Sequence, residues 1–180
     1  MSEIHTIQVS DKKFGLFIQK KKIQYAILQI AKQINRDYIH QKPLFICVLN
    51  GAFMFAADLL KKVTIPCEIA FIRLASYEGI ETHGRVKEVH GLLENIENRD
   101  VIVIEDIVDK GYTIQFLKNH ISFSQVRSIR IATLLFKPSA FLFADQPDYI
   151  GIQIPNQFVV GYGLDYNGEG RNLQDIYQII

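Results

Sequence analysis

The chain has 180 residues, of which 48% are hydrophobic, and this fits one domain with a full core. Its formal net charge of +1 argues against a nucleic-acid binder driven by bulk charge. No apolar run approaches the ~18 residues of a membrane span, and residues 1–14 lack the apolar core of a secretory signal. Since Cys47 and Cys67 lie in apolar runs, we predict two buried reduced thiols in a cytoplasmic protein, without a zinc site.

The predicted elements alternate between helices and strands from residue 20 onward. After three lysines, apolar residues recur at helical spacing at Ile23, Ala26, Ile27, Ile30, Ala31 and Ile34. Strands are predicted at Leu44–Leu49, Ile65–Leu74, Val101–Ile104 and Arg127–Leu135, with helices at Ala52–Lys62 and from about Thr113 to Ile121. This alternation predicts an α/β domain with a central parallel sheet flanked by helices on both faces.

Two stretches depart from the alternation. Ala75–Lys87 is polar and predicts a long exposed loop of the kind that often has a function. The chain from about Phe136 contains three prolines, so we predict that residues 136–180 form loops and short strands over the sheet edge. We expect both stretches to belong to a single domain spanning residues 1–180.

The most informative segment is residues 101–106. Four consecutive β-branched residues predict a strand that is buried on both faces, and Glu105 and Asp106 follow directly. Because a buried core accepts carboxylates only at its edge, we expect the strand to end at Ile104. The two acids then lie at the carboxyl edge of the sheet, where open α/β folds bind ligands.

The turn after this strand adds groups that suit a phosphate. Asp109 supplies a third carboxylate, Gly111 permits a tight turn, and Thr113 is predicted to cap the following helix. The free backbone N–H groups at a helix start bind anions, while carboxylates suit sugar hydroxyls or a metal. Together they predict a sugar-phosphate site, whereas the alternative is an ordinary strand-turn-helix with surface acids.

The run Glu105-Asp106-Ile107-Val108-Asp109-Lys110-Gly111-Tyr112-Thr113 resembles the phosphoribosyl-pyrophosphate motif of type I phosphoribosyltransferases. The run departs from the motif at Lys110, where the family usually has threonine. A hydroxyl group is lost there, the backbone N–H remains, and a cation is gained. The resemblance implies that the amides from Lys110 to Thr113, Tyr112 among them, hold a 5′-phosphate.

Two earlier segments resemble the hypoxanthine-guanine branch of this family. The turn Leu49-Asn50-Gly51-Ala52 resembles one that contacts pyrophosphate, which implies that role for Asn50 and Gly51. Arg73 is a further candidate to reach the pyrophosphate, and by the same resemblance Ser76 with Tyr77 opens a mobile catalytic loop. Such a loop would close over a reactive cation and exclude water.

The segment from Ile154 to Asn167 closely resembles the purine-binding hood of the same enzymes. The resemblance implies that Phe158 stacks on the base, that the Val159 backbone reads its edge, and that Asp165 lies near the purine 2-position and the metal. It also implies that Arg171 contacts the pyrophosphate. An aromatic face stacks on any base and an arginine fork suits a diphosphate, so the residue types agree with these roles.

The purine-reading lysine has two candidate positions in the family. Where some members have Lys-Pro-Asp, this chain has Gln146-Pro147-Asp148, so that lysine is missing. The run ending in Lys137-Pro138 resembles the alternative position of bacterial-type members, which implies that Lys137 donates to the 6-oxo group. A cationic donor there favours 6-oxopurines over adenine. The alternative is that Lys137 merely ends a strand at the surface.

These resemblances imply a purine-salvage enzyme that converts hypoxanthine or guanine and phosphoribosyl pyrophosphate into IMP or GMP and pyrophosphate. They imply Mg²⁺ held by Glu105, Asp106 and Asp165, with Asp109 as the general base, and a homodimer or homotetramer. Two other readings remain open at this point. One is a regulatory protein of the same fold that binds nucleotide or nucleic acid, and the other is an enzyme that prefers xanthine or guanine.

Overall fold

The computed structural model describes residues 5–76, 86–90 and 95–180. These residues form three helices, α1 (Lys20–Asp37), α2 (Phe53–Leu60) and α3 (Tyr112–Ser122). Their ten strands are β1 (Thr6–Val9), β2 (Lys12–Ile18), β3 (Leu44–Leu49), β4 (Glu68–Ser76), β5 (Val86–His90), β6 (Asp100–Val108), β7 (Ser128–Phe136), β8 (Tyr149–Gln153), β9 (Val159–Val160) and β10 (Ile176–Ile179). Of the helices in this part of the chain, none has the length and hydrophobicity that a membrane crossing requires.

The main sheet of the described residues has six strands in the order β5-β4-β3-β6-β7-β8. The five strands from β4 to β8 in this order pair in parallel, whereas β5 pairs antiparallel with β4 at one edge. Helices α1 and α2 pack on one face of the sheet and α3 packs on the other. The predicted parallel α/β architecture with helices on both faces is therefore confirmed.

The pattern of buried residues explains why these segments form these elements. All six apolar positions predicted for the core face of α1 are buried. In β3, Phe45 and Cys47 face the core under α1 and α2, while Leu44, Ile46 and Val48 face the core under α3. A strand covered on both faces is apolar at successive positions, as observed.

A second sheet, with strand order β1-β2-β10-β9, is antiparallel throughout. Its N-terminal hairpin was not predicted from the sequence. The hairpin lies beside β10 and satisfies the backbone hydrogen bonds of that short C-terminal strand. Strand β8, which falls within residues 136–180, instead extends the main sheet beside β7.

Two predictions about the acidic segment are corrected by the structure. Strand β6 does not end at Ile104 but continues to Val108, because β7 pairs alongside it as far as Phe136. The N-cap of α3 is Gly111 rather than Thr113, and its φ of 91° is a left-handed conformation that glycine adopts readily.

The predicted loop Ala75–Lys87 and the predicted burial of both thiols also need correction. Strand β4 includes Ala75 and Ser76, and β5 begins at Val86, since the two segments pair antiparallel. Residues 77–85, including Tyr77, lie outside the described residues. Both cysteines are free, but Cys67 precedes β4 and is only half-buried, whereas Cys47 is fully buried.

Candidate active site

Two adjacent carboxylates are buried near the carboxyl end of β6. Glu105 is 7% exposed and Asp106 is 8% exposed. Burial and the neighbouring Asp106 charge raise the pKa of Glu105 well above its usual range. Burial also raises the pKa of Asp106, although the charge of Arg171 opposes this. Since Oε2 of Glu105 is buried without a hydrogen-bond partner, this oxygen suits a ligand that would donate to it or coordinate it.

The turn between β3 and α2 lies directly against this acid pair. A methyl group at Gly51 would overlap Oδ2 of Asp106, and a methyl group at Gly163 would overlap the carbonyl oxygen of Gly51. The turn also contains a cis peptide bond between Leu49 and Asn50. Three segments distant in sequence therefore meet at Gly51, with no room there for a side chain.

A lysine and an aspartate pair across the ends of β6 and β7. The Nζ atom of Lys137 lies 2.8 Å from Oδ2 of Asp109. Lys137 is 6% exposed, so its ammonium group is not a surface group that merely ends a strand. A lysine is seldom buried this deeply without a partner, and Asp109 supplies one. Asp109, the predicted proton acceptor from the purine, and Lys137, the predicted hydrogen-bond donor to it, are therefore in contact.

A cavity of about 190 Å³ opens beside this pair. Its walls come from the end of β6, from Lys137 and from the C-terminal segment, namely Asp106, Ile107, Asp109, Lys137, Phe158, Val159, Leu164 and Asp165. The two residues missed by the sequence analysis are Ile107 and Leu164. Both are apolar wall residues, and their only signal was their position inside the two motif segments.

Phe158 forms the aromatic wall of this cavity and packs against two further aromatic rings. Phe158 is 45% exposed, and the centroid of its ring lies 6.3 Å from that of Phe14 and 5.8 Å from that of Tyr166. Val159 is buried in β9 and pairs with Gln178 of β10. The second sheet thus fixes the backbone, and the exposed surface of the Phe158 ring is available for stacking.

Arg171 and Asp165 form a second ion pair at the same edge. Nη2 of Arg171 lies 2.6 Å from Oδ1 of Asp165, while Nη1 donates to the carbonyl oxygen of Gly163 at 2.8 Å. The backbone N–H of Gly168 donates to the other Asp165 oxygen at 2.7 Å. The guanidinium group is therefore oriented by two partners, although its side chain is partly exposed.

The turn between β6 and α3 has the features of an anion site. Lys110 is exposed, and the N–H groups of Tyr112 and Thr113 belong to the first turn of α3, where a helix supplies no acceptors. A methyl group at Gly111 would overlap the Phe141 ring, so the turn is packed from behind. The backbone N–H of Leu142 also donates to the carbonyl oxygen of Lys110 at 3.2 Å.

The predicted residues Arg73, Ser76 and Tyr77 belong to the end of β4 and to the residues that follow it. Arg73 is exposed on β4, where it is in register with Leu49 of β3, and it does not line the cavity. Ser76 is the last residue of β4. Tyr77 lies outside the described residues, so the predicted loop opening has no described geometry.

The predicted metal ligands do not form one preformed set. Within residues 5–76, 86–90 and 95–180, no three His, Cys, Asp or Glu side chains gather as a metal site. Asp165 is instead paired with Arg171, and Asp106 accepts a hydrogen bond from the N–H of Ile107 at 2.7 Å. Carboxylate oxygens nevertheless fit Mg²⁺, which usually takes one or two of them and completes its shell with water and substrate phosphates. The unpartnered oxygen of Glu105 agrees with such a group.

Comparison with known proteins agrees with this geometry. The family model for the phosphoribosyl transferase domain matches residues 18–167. A hypoxanthine-guanine phosphoribosyltransferase of Streptococcus mutans is 42% identical over 81% of this chain and 81% of its own length. The crystal structure of a hypoxanthine-guanine phosphoribosyltransferase of Bacillus anthracis is 37% identical, with a TM-score of 0.86, and covers 92% of this chain and 96% of that one.

A longer relative is the bifunctional protein TilS/HprT of Listeria innocua, which is 38% identical over 88% of this chain. The chain spans only 24% of that relative's length. The fold, the acidic strand end and the family match define one class of protein: this chain belongs to the phosphoribosyl transferase family.

Proposed function

We propose that this protein is a purine-salvage phosphoribosyltransferase that transfers the 5-phosphoribosyl group from phosphoribosyl pyrophosphate to N9 of hypoxanthine or guanine. The products are IMP or GMP and pyrophosphate. The observation that carries the proposal is the Lys137–Asp109 ion pair, which lines one cavity with Phe158 and Asp106. The names of the Streptococcus and Bacillus relatives support the same activity.

The purine is recognised at the Lys137–Asp109 pair. A 6-oxopurine offers an acceptor at O6 and an N7–H donor side by side, which suits an ammonium group and a carboxylate in contact. Adenine presents a donor at the 6-position, so Lys137 would be left without an acceptor. Phe158 stacks on the base, the Val159 backbone reads its edge, and Asp165 lies near the purine 2-position.

The ribose and the leaving group are held by a second set of residues. Breaking the C1–pyrophosphate bond leaves positive charge on the ribose and negative charge on the diphosphate. Glu105 and Asp106 hold the ribose hydroxyls, directly or through a bound metal. Arg171 stabilises the diphosphate, and the Asn50–Gly51 turn and Arg73 contribute further contacts.

Glu105, Asp106 and Asp165 are the residues that would hold Mg²⁺. When bound, Mg²⁺ neutralises charge that develops on the diphosphate. Asp109 accepts the N7 proton as N9 attacks, which is a general-base role. The backbone amides from Lys110 to Thr113, with Gly111 and Tyr112 between them, hold the 5′-phosphate. Ser76 and Tyr77 open the loop that covers the site.

The protein would work as a single phosphoribosyltransferase domain over residues 1–180, with residues from about 136 onward contributing to the purine-binding hood. The match over residues 18–167 supports this organisation. The two free cysteines support action in the cytoplasm, where thiols stay reduced. We also propose a homodimer or homotetramer.

The test is a nucleotide-formation assay with Mg²⁺ and phosphoribosyl pyrophosphate, in which hypoxanthine, guanine, xanthine and adenine are compared. We expect turnover of 6-oxopurines and none of adenine. A Lys137→Met variant should lose most of its affinity for hypoxanthine, whereas Lys32→Met, an exposed lysine on α1, should behave like the unsubstituted protein. Binding of nucleotide without turnover of any purine base would contradict the proposed enzymatic activity and favour a regulatory nucleotide-binding protein.

A further inference from the structure

Tyr162 is held in an unusual backbone conformation at the edge of the candidate site. It is 2% exposed, and it lies between two glycines, Gly161 and Gly163. The φ angles of the three residues are 102°, 52° and 102°, all in the left-handed region. Because a non-glycine residue is disfavoured in this region, contacts with the rest of the fold have to maintain the conformation of Tyr162.

The Tyr162 side chain is bound to the two helices on one face of the main sheet. Its hydroxyl donates to Oδ2 of Asp58 at 2.5 Å, and Nε2 of Gln24 donates to the same oxygen at 2.6 Å. Nζ of Lys61 lies 3.1 Å from Oδ1 of Asp58. Burial would raise the pKa of Asp58, but the hydrogen bonds from Tyr162, Gln24 and Lys61 together lower that pKa. Asp58 is therefore a charged acceptor that links α1 and α2 to the Tyr162 hydroxyl.

The residue after Tyr162 connects this anchor to the site. Gly163 exchanges two contacts with Arg171: its N–H donates to the Arg171 carbonyl at 2.9 Å, and its carbonyl accepts from Nη1 at 2.8 Å. The same glycine packs against the carbonyl oxygen of Gly51, without room for a methyl group. A short, closely packed path therefore runs from Asp58 through Tyr162 and Gly163 to the Arg171 guanidinium.

The purine side of the cavity is supported differently. Phe158 packs on Phe14 and Tyr166, and Val159 is held by the pairing of β9 with β10. None of these contacts passes through the Tyr162 hydroxyl. Loosening the Tyr162 anchor should therefore disturb Arg171 more than it disturbs the base-stacking wall.

We propose that Tyr162, held by Asp58 and Gln24, is a positioning residue that orients Arg171 toward the diphosphate of phosphoribosyl pyrophosphate. The inference rests on the proposed function and adds to it a residue that touches neither substrate. Its signature is a split between the substrates: loss of the Tyr162 hydroxyl weakens binding of the diphosphate and leaves binding of the purine nearly unchanged.

The test compares Tyr162→Phe with Tyr149→Phe in the full chain. Tyr149, the first residue of β8, is also 2% exposed. Its hydroxyl donates to Oδ2 of Asp37, the last residue of α1, at a distance of 3.1 Å. Both variants lose a hydrogen bond from a buried tyrosine to an aspartate. In Tyr162→Phe we expect the KM for phosphoribosyl pyrophosphate and the Kd for pyrophosphate, measured by calorimetry, to rise roughly five- to tenfold. The KM for hypoxanthine should change less than about twofold.

Tyr149→Phe should lower the melting temperature similarly without this split, and Asp58→Asn should reproduce the split with the Tyr162 ring intact. An unchanged affinity for pyrophosphate in Tyr162→Phe, or an equal rise of both KM values, would overturn this inference alone. Absence of both nucleotide formation and pyrophosphate binding in the unsubstituted protein would instead overturn the proposed function, so the two failures are distinguishable.

Discussion

The Asp109 carboxylate accepts a hydrogen bond from Lys137, although the two residues are 28 positions apart. The pair keeps a buried ammonium group compensated, and it places a proton acceptor next to a cationic donor. Each residue alone has an ordinary structural explanation, as a turn acid or as the end of a strand. Their contact inside a cavity that Phe158 also lines is what favours recognition of a 6-oxopurine.

Asp109→Asn should therefore reduce kcat with hypoxanthine by about 10²–10⁴-fold, because the amide keeps the size of the side chain but cannot accept the N7 proton. The measurement is steady-state nucleotide formation at saturating substrates. Asp145→Asn, which makes the same change at an exposed position, is the matched control and should be near normal. A near-normal rate for Asp109→Asn would remove Asp109 from the general-base role.

At the scale of elements, the site depends on how closely the ends of β3 and β6 approach the C-terminal segment. Gly51 lies between Asp106 on one side and Gly163 on the other. Because both neighbours are packed against it, a small displacement of this turn moves the acid pair relative to Arg171. This close packing explains why Gly51, which has no side chain, can determine the relative positions of Asp106 and Arg171.

We expect Gly51→Ala to lower the free energy of unfolding by about 1–3 kcal/mol through overpacking. The displacement of Asp106 should lower kcat/KM by about 10²-fold. Chemical denaturation and steady-state kinetics measure the two effects. Gly168→Ala is a useful comparison, since its methyl group would meet open space and its cost is the positive φ of 84° alone. Equal kinetics for the two alanine variants would contradict the packing argument.

A buried carboxylate lies at the amino end of the main sheet, where β6 and β7 begin. Asp100 is 4% exposed and accepts hydrogen bonds from the Arg127 guanidinium and, at 2.7 Å, from the Ser128 hydroxyl. The hydrogen bonds from Arg127, with a smaller contribution from Ser128, lower the pKa of Asp100 against the effect of burial. A carboxyl group whose pKa is depressed by folding stabilises the native state fully above its unfolded pKa, and this stabilisation is lost as the pH falls through its native pKa.

Asp100→Asn should therefore lower the free energy of unfolding by about 1–3 kcal/mol at pH 7. The difference from the unsubstituted protein should shrink as the pH falls below about 4, through the depressed native pKa, because the carboxylate is then protonated in both states. Urea denaturation at several pH values measures this difference. The exposed control Asp145→Asn should show little difference at any pH, and a pH-independent effect of Asp100→Asn would refute the linkage.

At the scale of the whole molecule, the thiols of Cys47 and Cys67 differ in how deeply the fold buries them. Cys47 lies in the centre of β3, and burial, with the charges of Glu105 and Asp106 adding to it, raises the pKa of its thiol to about 12. Cys67 lies before β4, is half-buried, and has a pKa raised by burial to a smaller degree. The thiolate is the reactive form, so the folded protein should protect Cys47 more strongly.

A thiol reagent at pH 8 should therefore modify Cys67 in the native protein, and Cys47 only on the timescale of global unfolding. Mass spectrometry of the labelled protein over time distinguishes the two positions. A Cys67→Ser variant should remain unlabelled until denaturant is added. Rapid native labelling of Cys47 would contradict the packing of β3 inside the main sheet.

The sequence by itself determined the features that depend on neighbouring residues. The buried face of α1 and the run Leu44–Leu49 were predicted correctly because helical and strand periodicities are properties of neighbouring residues. The same holds for the parallel α/β class. Six of the eight residues that line the cavity were also named from the sequence, because they belong to short segments that resemble those of a known family.

The tertiary structure decided what depends on distant segments. Strand β6 continues past Glu105 because β7 pairs alongside it, and β10 finds its partner in the N-terminal hairpin. The contact of Lys137 with Asp109 and the bond of Tyr162 to Asp58 likewise join residues from separate elements. Periodicity and spacing describe which residues a segment buries, whereas pairing and packing between segments select which buried groups meet, and this selection forms the candidate site.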